Sequence, residues 1–234
     1  MKQVIQIRCK NNKKTQKVEI GSTLFDVFSS FDLKMTHGPV SARVNNKVEG
    51  MHYRVYNSKD VEFLDMTTAS GSRAYTRTLF FVLCKAVQDI YPATDVVIDI
   101  PVSNGFYVDI RLGRPVVDED VNIIRCRMQE IIDARMPIRR FTVPTEDAIT
   151  LFQEKGDVEK VKLLKTSGSI YTTYYKIGEY VDYYYGTLLT NTSQLYLFGL
   201  EKYYDGMLLR IPSLKNPDEL GEMTRQDKMF DIFK

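Results

Sequence analysis

The sequence predicts an α+β protein of two units in tandem. Three observations carry this. Residues 1–66 spell strand, strand, helix, strand and short strands. Residues 73–91 hold one long apolar stripe at helical spacing. From Ser169 the texture turns to β, with ten of the chain's 15 tyrosines between Tyr171 and Tyr204. Tyrosine is a strong strand former with one wet end.

In the first unit, residues 4–8 alternate, Asn11-Asn12-Lys13-Lys14 supplies a polar turn, and residues 18–20 begin a second strand. Ser22 is placed as a helix N-cap, and Leu24, Phe25, Val27, Phe28 and Phe31 define one apolar face. Residues 40–44 form a strand, Asn45-Asn46-Lys47 turns the chain back, and residues 61–64 close the unit. That order is the one a ubiquitin-like β-grasp requires.

Residues 66–72 (Met-Thr-Thr-Ala-Ser-Gly-Ser) read as a small polar linker, with Ser72 capping the next helix. Leu79, Val82, Leu83, Ala86, Val87 and Ile90 make its buried stripe, and Pro92 ends it. Strands follow at 96–100 and 106–110, joined through Pro101 and Asn104-Gly105. Asp118, Glu119 and Asp120 open a helix at its positive end, with Val121, Ile124, Met128, Ile131 and Ile132 inward. Thr145 caps a short helix stopped by Gly156, and Asp157 caps another reaching Lys165. Residues 195–203 alternate as a strand, Asp205-Gly206 signals a type I′ hairpin, and residues 207–211 return. A helix is expected over 222–230.

Bulk numbers exclude several functions. At 234 residues, 44% apolar and 26% charged, the chain can bury a real core. A net charge of +2 is too small for bulk attraction to nucleic acid, so any basic patch is local. Three scattered cysteines fit a reduced compartment. No apolar run approaches the ~20 residues of a membrane helix, and the first residues lack a signal peptide's apolar block. The expectation is a cytoplasmic protein without membrane contact. Only His37 and His52 are available as imidazoles, which excludes a histidine-rich metal centre.

Neither a phosphate-cradling G-x-x-x-x-G-K-[ST] loop nor a G-x-S-x-G elbow occurs. The tyrosines, with Lys162, Lys165, Lys176 and Lys202, offer base stacking beside phosphate contacts, or simply strands. Arg139-Arg140, Lys160-Lys162-Lys165 and Lys10-Lys13-Lys14 read as solvated basic faces. Cys84 lies within the apolar helix and reads as core. Asp109 and Asp182 sit at strand ends with no base paired to them in the sequence, which favours a hydrogen-bonding role.

Residues 17–65 resemble a TGS domain, the β-grasp module at the front of threonyl-tRNA synthetases, stringent-response synthetases and certain small GTPases. Val18-Glu19-Ile20-Gly21-Ser22-Thr23-Leu24, Ala42-Arg43-Val44-Asn45-Asn46-Lys47-Val48 and Asp60-Val61-Glu62-Phe63-Leu64 carry the likeness. Residues 73–211 resemble the second additional domain of threonyl- and alanyl-tRNA synthetases, an α+β fold where mischarged tRNA is hydrolysed. Ala86-Val87-Gln88-Asp89-Ile90-Tyr91-Pro92, Pro101-Val102-Ser103-Asn104-Gly105-Phe106-Tyr107-Val108-Asp109, Glu119-Asp120-Val121 and Glu179-Tyr180-Val181-Asp182 carry it.

In that family H-x-x-x-H on a helix and a later C-x-x-x-H form the hydrolytic site. The resemblance sets these positions on Arg77 and Phe81, then on Tyr184 and Leu188. None of the four can bind zinc or orient a water as imidazole or thiolate does. The resemblance therefore implies a degenerate editing pocket with no catalysis and no metal or other cofactor. It leaves Arg77 as a candidate ligand-binding residue, or as one paired with a nearby acid.

A TGS unit (1–66) before such a domain (73–211) also resembles the N-terminal half of the TGS-containing uridine kinases. That resemblance implies a polar linker (212–234) toward a downstream nucleoside kinase domain with its own ATP and Mg²⁺. The partners it implies are that kinase domain and an RNA or small-molecule ligand. The alternative is a stand-alone tRNA- or ribosome-binding module related to threonyl-tRNA synthetase. An editing hydrolase with a rebuilt site is a third.

Overall fold

A computed structural model describes residues 3–223, apart from the side chains of 99 and 100. The first unit comprises β1 (Val4–Cys9), β2 (Thr15–Glu19), α1 (Leu24–Ser30), β3 (Ser41–Val44), β4 (Lys47–Gly50) and β5 (Lys59–Leu64). They make one sheet in the order β2-β1-β5-β3-β4, with β1 and β5 parallel at its centre and the other pairs antiparallel. This is the expected β-grasp. Leu24, Val27 and Phe31 of the α1 region pack on Ile7, Val44, Val61 and Phe63 from the sheet. Asn45 and Asn46 turn the β3–β4 hairpin with φ of 52° and 113°, the left-handed region asparagine tolerates.

Thr23, not Ser22, caps α1. Its hydroxyl accepts the Asp26 N–H, and the Asp26 carboxylate accepts the Thr23 N–H at 2.8 Å. The reciprocal box needs an acid or amide three residues on. Asp26 stands there for Thr23, whereas Ser22 would meet Phe25.

The stretch expected as a linker is mostly helix. The second helix, α2 (Ala69–Ile90), begins three residues before Ser72, and the Thr68 hydroxyl accepts the Gly71 N–H at 3.0 Å. Ser72 is a buried residue inside the helix. Gly71 permits the close join: a Cβ there would stand 1.8 Å from the Asp65 carbonyl oxygen. Small polar residues look like a flexible linker in a sequence; here they serve capping and close approach. Val40 and Met66 of the first unit pack into the core of the second.

The second unit continues with β6 (Val96–Val102), β7 (Gly105–Ile110), α3 (Asp118–Asp133), β8 (Arg139–Pro144), α4 (Thr145–Glu154), α5 (Val158–Thr166), β9 (Tyr171–Ile177), β10 (Tyr180–Tyr183), β11 (Gly199–Tyr203) and β12 (Gly206–Arg210). Its sheets run β11-β12-β7-β6 and β10-β9-β8, all antiparallel. Most of α2 is buried, polar Thr78 and Lys85 included, as suits a helix packed on several sides. The inward residues of α3 are those its spacing predicts.

Three local expectations shift. Residues 195–198 are not strand; at Leu197 the backbone pairs with the Tyr75 hydroxyl, which accepts the Leu197 N–H at 3.0 Å and donates to the Leu197 carbonyl at 2.8 Å. The last hairpin turns on Tyr204-Asp205, one residue early, with Tyr204 at φ 50°. Gly206 belongs to β12, where a Cβ would meet the Val108 carbonyl oxygen at 2.4 Å. Thr145 is the first residue of α4 and not its cap; its hydroxyl donates to the Ser169 carbonyl at 2.6 Å. The helix expected over 222–230 lies, from residue 224, outside the described residues.

Candidate functional site

The residues after β10 fold back onto α2. Thr78 pins them there: its hydroxyl accepts the Leu189 N–H at 2.9 Å while donating to the Ala74 carbonyl at 2.8 Å. From the other side the Tyr175 hydroxyl donates to the Gly186 carbonyl at 2.8 Å. These two anchors bring the segment holding Tyr184 and Leu188 against the helix holding Arg77 and Phe81.

The interior of this junction is filled. Phe81 and Leu188 are both 0% exposed. The Phe81 ring meets Tyr184 edge-on at 5.7 Å and Tyr180 at 5.2 Å. Aromatic pairing at such distances adds to the burial energy. Two of the four positions therefore present only hydrocarbon, and the third presents a half-buried phenol whose ionisation burial opposes strongly.

Arg77 stands at the edge, half-buried. Its guanidinium lies on Gly186, where a Cβ would come within 2.8 Å of Cζ. It donates to the Thr187 carbonyl at 3.4 Å, a long bond, and pairs with no carboxylate among the described residues. Burial and the neighbouring Arg73 charge hold its pKa below the ordinary value. The pairing with a nearby acid that would make Arg77 a space-filler is not among the described contacts.

Sequence spacing missed a second cluster beside it. Asp182, 6% exposed, does have a paired base: the Lys160 ammonium from α5 lies 2.7 Å from its Oδ1 and 2.7 Å from Asp157 Oδ2. The Tyr180 hydroxyl donates to Asp182 Oδ2 at 3.0 Å. Burial works against the Lys160 charge, yet the two carboxylates raise its pKa above the ordinary value. Lys160 is thus an ion-paired residue, not part of a solvated basic face. Cys84 points to the same cluster, and burial pushes its thiol up to about 12. At neutral pH it is a protonated thiol, a poor nucleophile and a poor ligand. No signal could have linked Lys160 to Asp182, 22 residues apart and on different elements. Asp109 lies apart, on β7.

The histidines are elsewhere. His37 stacks on Tyr196 at 3.6 Å and contacts Asp218 at 2.7 Å, while His52 lies beside β4. Among the described residues no three His, Cys, Asp or Glu side chains are grouped to hold a metal. The described residues also contain no helix long and apolar enough to cross a membrane.

No known family model matches the chain. Curated relatives do. The chain is 29% identical over 181 residues to a threonine--tRNA ligase of Acetivibrio thermocellus, covering 77% of this chain and 28% of that protein. It is 28% identical over 193 residues to that of Clostridium kluyveri, covering 82% and 30%. Against that of Marinobacter nauticus it is 26% identical over 181 residues, covering 77% and 28%. Most of this chain is therefore similar to one part of these threonine--tRNA ligases. The chain spans under a third of the length of these relatives.

Proposed function

We propose that this chain is a non-hydrolytic RNA-binding module related to the tRNA ligases it resembles. Its second unit keeps the shape of an editing domain and holds tRNA or a related RNA without cleaving it. One observation carries the reading: Phe81 and Leu188, on which the resemblance sets two of the family's four hydrolytic positions, are fully buried hydrocarbon. Ester hydrolysis needs a group that orients or deprotonates water. Here the cavity such a water would enter is packed with a phenyl ring and a leucine.

The test pairs two assays on the purified chain. Incubation with mischarged tRNA leaves the aminoacyl ester at the buffer rate, with or without added zinc. Binding of uncharged tRNA is retained at low salt and falls steeply as salt rises. Ester cleavage above background, or no tRNA binding at low salt, defeats the proposal.

A second reading makes the chain the regulatory front of a nucleoside (uridine) kinase that binds ATP and Mg²⁺ downstream. It rests on the order of the two units alone, and none of the relatives named above is a kinase. A phosphate-binding G-x-x-x-x-G-K-[ST] loop encoded within ~70 residues after Lys234 would favour it.

A further inference from the structure

The β-grasp sheet meets the second unit where Glu49 of β4 approaches Arg140 of β8, and the charges at that seam do not balance. Arg140 of β8 sits directly opposite Tyr175 of β9, so the two side chains share a face. The Tyr175 hydroxyl ends on the Gly186 carbonyl, and Gly186 is the residue Arg77 lies against. Arg77 and Arg140 therefore flank one buried tyrosine. Arg73, one helical turn before Arg77, adds a third guanidinium on the same face of α2. Both the Arg77 and Arg140 charges reach the Tyr175 hydroxyl and favour its ionised form against burial.

Only one acid answers them among the described ion pairs. Glu49 of β4, 6% exposed, lies 3.9 Å from Arg140, and it is already engaged by Lys47 at 2.9 Å. Among the described residues Arg73 donates to the Ser70 hydroxyl, at 3.2 Å, and to no carboxylate. His52 adds an unused donor: both ring nitrogens are buried without a hydrogen-bond partner among the described residues, and its pKa is lowered by burial and by Arg140. Arg77 alone of the three is half-buried, and holding a guanidinium partly out of water without a counter-charge is costly; Arg73 and Arg140 are exposed beside it. Two guanidiniums act on the one Tyr175 hydroxyl, and the Arg73 charge adds to that of Arg77, so an anion arriving there would be welcomed by all three.

We propose that Arg73, Arg77 and Arg140 form a phosphate-binding notch at the seam between the β-grasp sheet and the second unit. Phosphate suits it better than carboxylate. A backbone diester offers one charge and two free oxygens, a terminal phosphate nearly two charges and three oxygens, and either accepts from several planar forks at once. The shared chemistry is a phosphate group, carried either by an RNA backbone or by a free nucleotide. The notch stands on the seam geometry and does not require the RNA reading above.

The experiment measures binding of a labelled single-stranded RNA and, separately, of AMP and inorganic pyrophosphate. The whole chain is compared with Arg77→Met, Arg140→Met and the double variant, over a series of salt concentrations. Lys10→Met, exposed on the first unit, is the control, and thermal melts confirm folding. Each arginine substitution weakens phosphate-bearing ligands roughly tenfold and, for RNA, lowers the salt slope by about one. RNA held far more tightly than AMP assigns the notch to a strand; AMP or pyrophosphate held as tightly assigns it to a free phosphate. If both arginine variants bind all three probes as the wild type does, the notch is wrong even where tRNA binding persists. Failure of every probe to bind at low salt also overturns it.

Discussion

The Arg77 guanidinium rests on the α-carbon of Gly186, so close that a Cβ there would stand 2.8 Å from Cζ and from one terminal nitrogen. Gly186 also holds φ at 111°, where L side chains are strained. Gly186→Ala should cost about 1–3 kcal/mol from the backbone. It should also push the flexible guanidinium aside. In an Arg77→Ala background the steric share disappears, so the two substitutions should couple by at least about 0.5 kcal/mol. A double-mutant cycle in urea checks this, and simple additivity would show that the contact carries no energy.

Arg77→Met should leave stability unchanged or raise it. The half-buried charge has no acid partner among the described residues, and its removal relieves desolvation without orphaning a carboxylate. Thermal melting in ligand-free buffer reads this directly. A marked fall in melting temperature would mean that the long bond to Thr187 matters more than the burial penalty.

Phe81→Ala should cost about 3–5 kcal/mol, because the cavity left among Tyr180, Tyr184 and the α2 core cannot collapse easily. Leu188→Ala should cost about 2–5 kcal/mol for the same reason. Chemical denaturation measures both. Losses below 1 kcal/mol would argue that the pocket is open and not filled.

Asp120 should make the fold acid-sensitive. Its buried carboxylate accepts two bonds from Arg114 at 2.6 and 2.8 Å, the Tyr91 hydroxyl at 2.6 Å and the Val117 N–H at 2.9 Å. Arg114 first, aided by Tyr91 and Val117, holds its pKa far below the ordinary carboxylate range. The unfolded group titrates near the usual ~3.9. The stabilisation is therefore complete at neutral pH and is lost as pH falls below about 4 toward the folded value. Asp120→Ala should destabilise the fold at pH 7 and flatten the acid limb of stability against pH. An unchanged acid limb would remove Asp120 from that role.

The three thiols should separate. Cys126 is exposed, Cys9 is buried, and the Cys84 thiol is pushed up to about 12 by burial beside Tyr184 and Asp182. A disulfide reagent at about pH 8 should modify one thiol quickly and two slowly. Rapid reaction of a second thiol in Cys126→Ser protein would contradict the packing around Cys84.

Much of the architecture was legible because local signals and global fold agree. The Leu24-Val27-Phe31 stripe, the acids opening α3 and the Asn45-Asn46 turn each point to one local structure, and the tertiary fold did not override them. The misreadings share a cause. Residue type alone favours Ser22, Ser72 and a linker at 66–72, whereas specific partner atoms, near in sequence or far from it, decide those positions. Asp26 completes the box for Thr23, the Asp65 carbonyl demands Gly71, and the Tyr75 hydroxyl pairs with the backbone at Leu197.

By itself the sequence determined the β-grasp order, the helical and strand texture of the second unit, and the identity of the side chains at 77, 81, 184 and 188. Only the folded chain decided that Phe81 and Leu188 fill the space between two elements, that Lys160 answers Asp182, and that Arg77 and Arg140 flank one tyrosine. Spacing along a chain encodes the period of a helix or strand. Which charges find counter-charges depends on distances between elements, and those are set only when the packed cores fix the elements against one another.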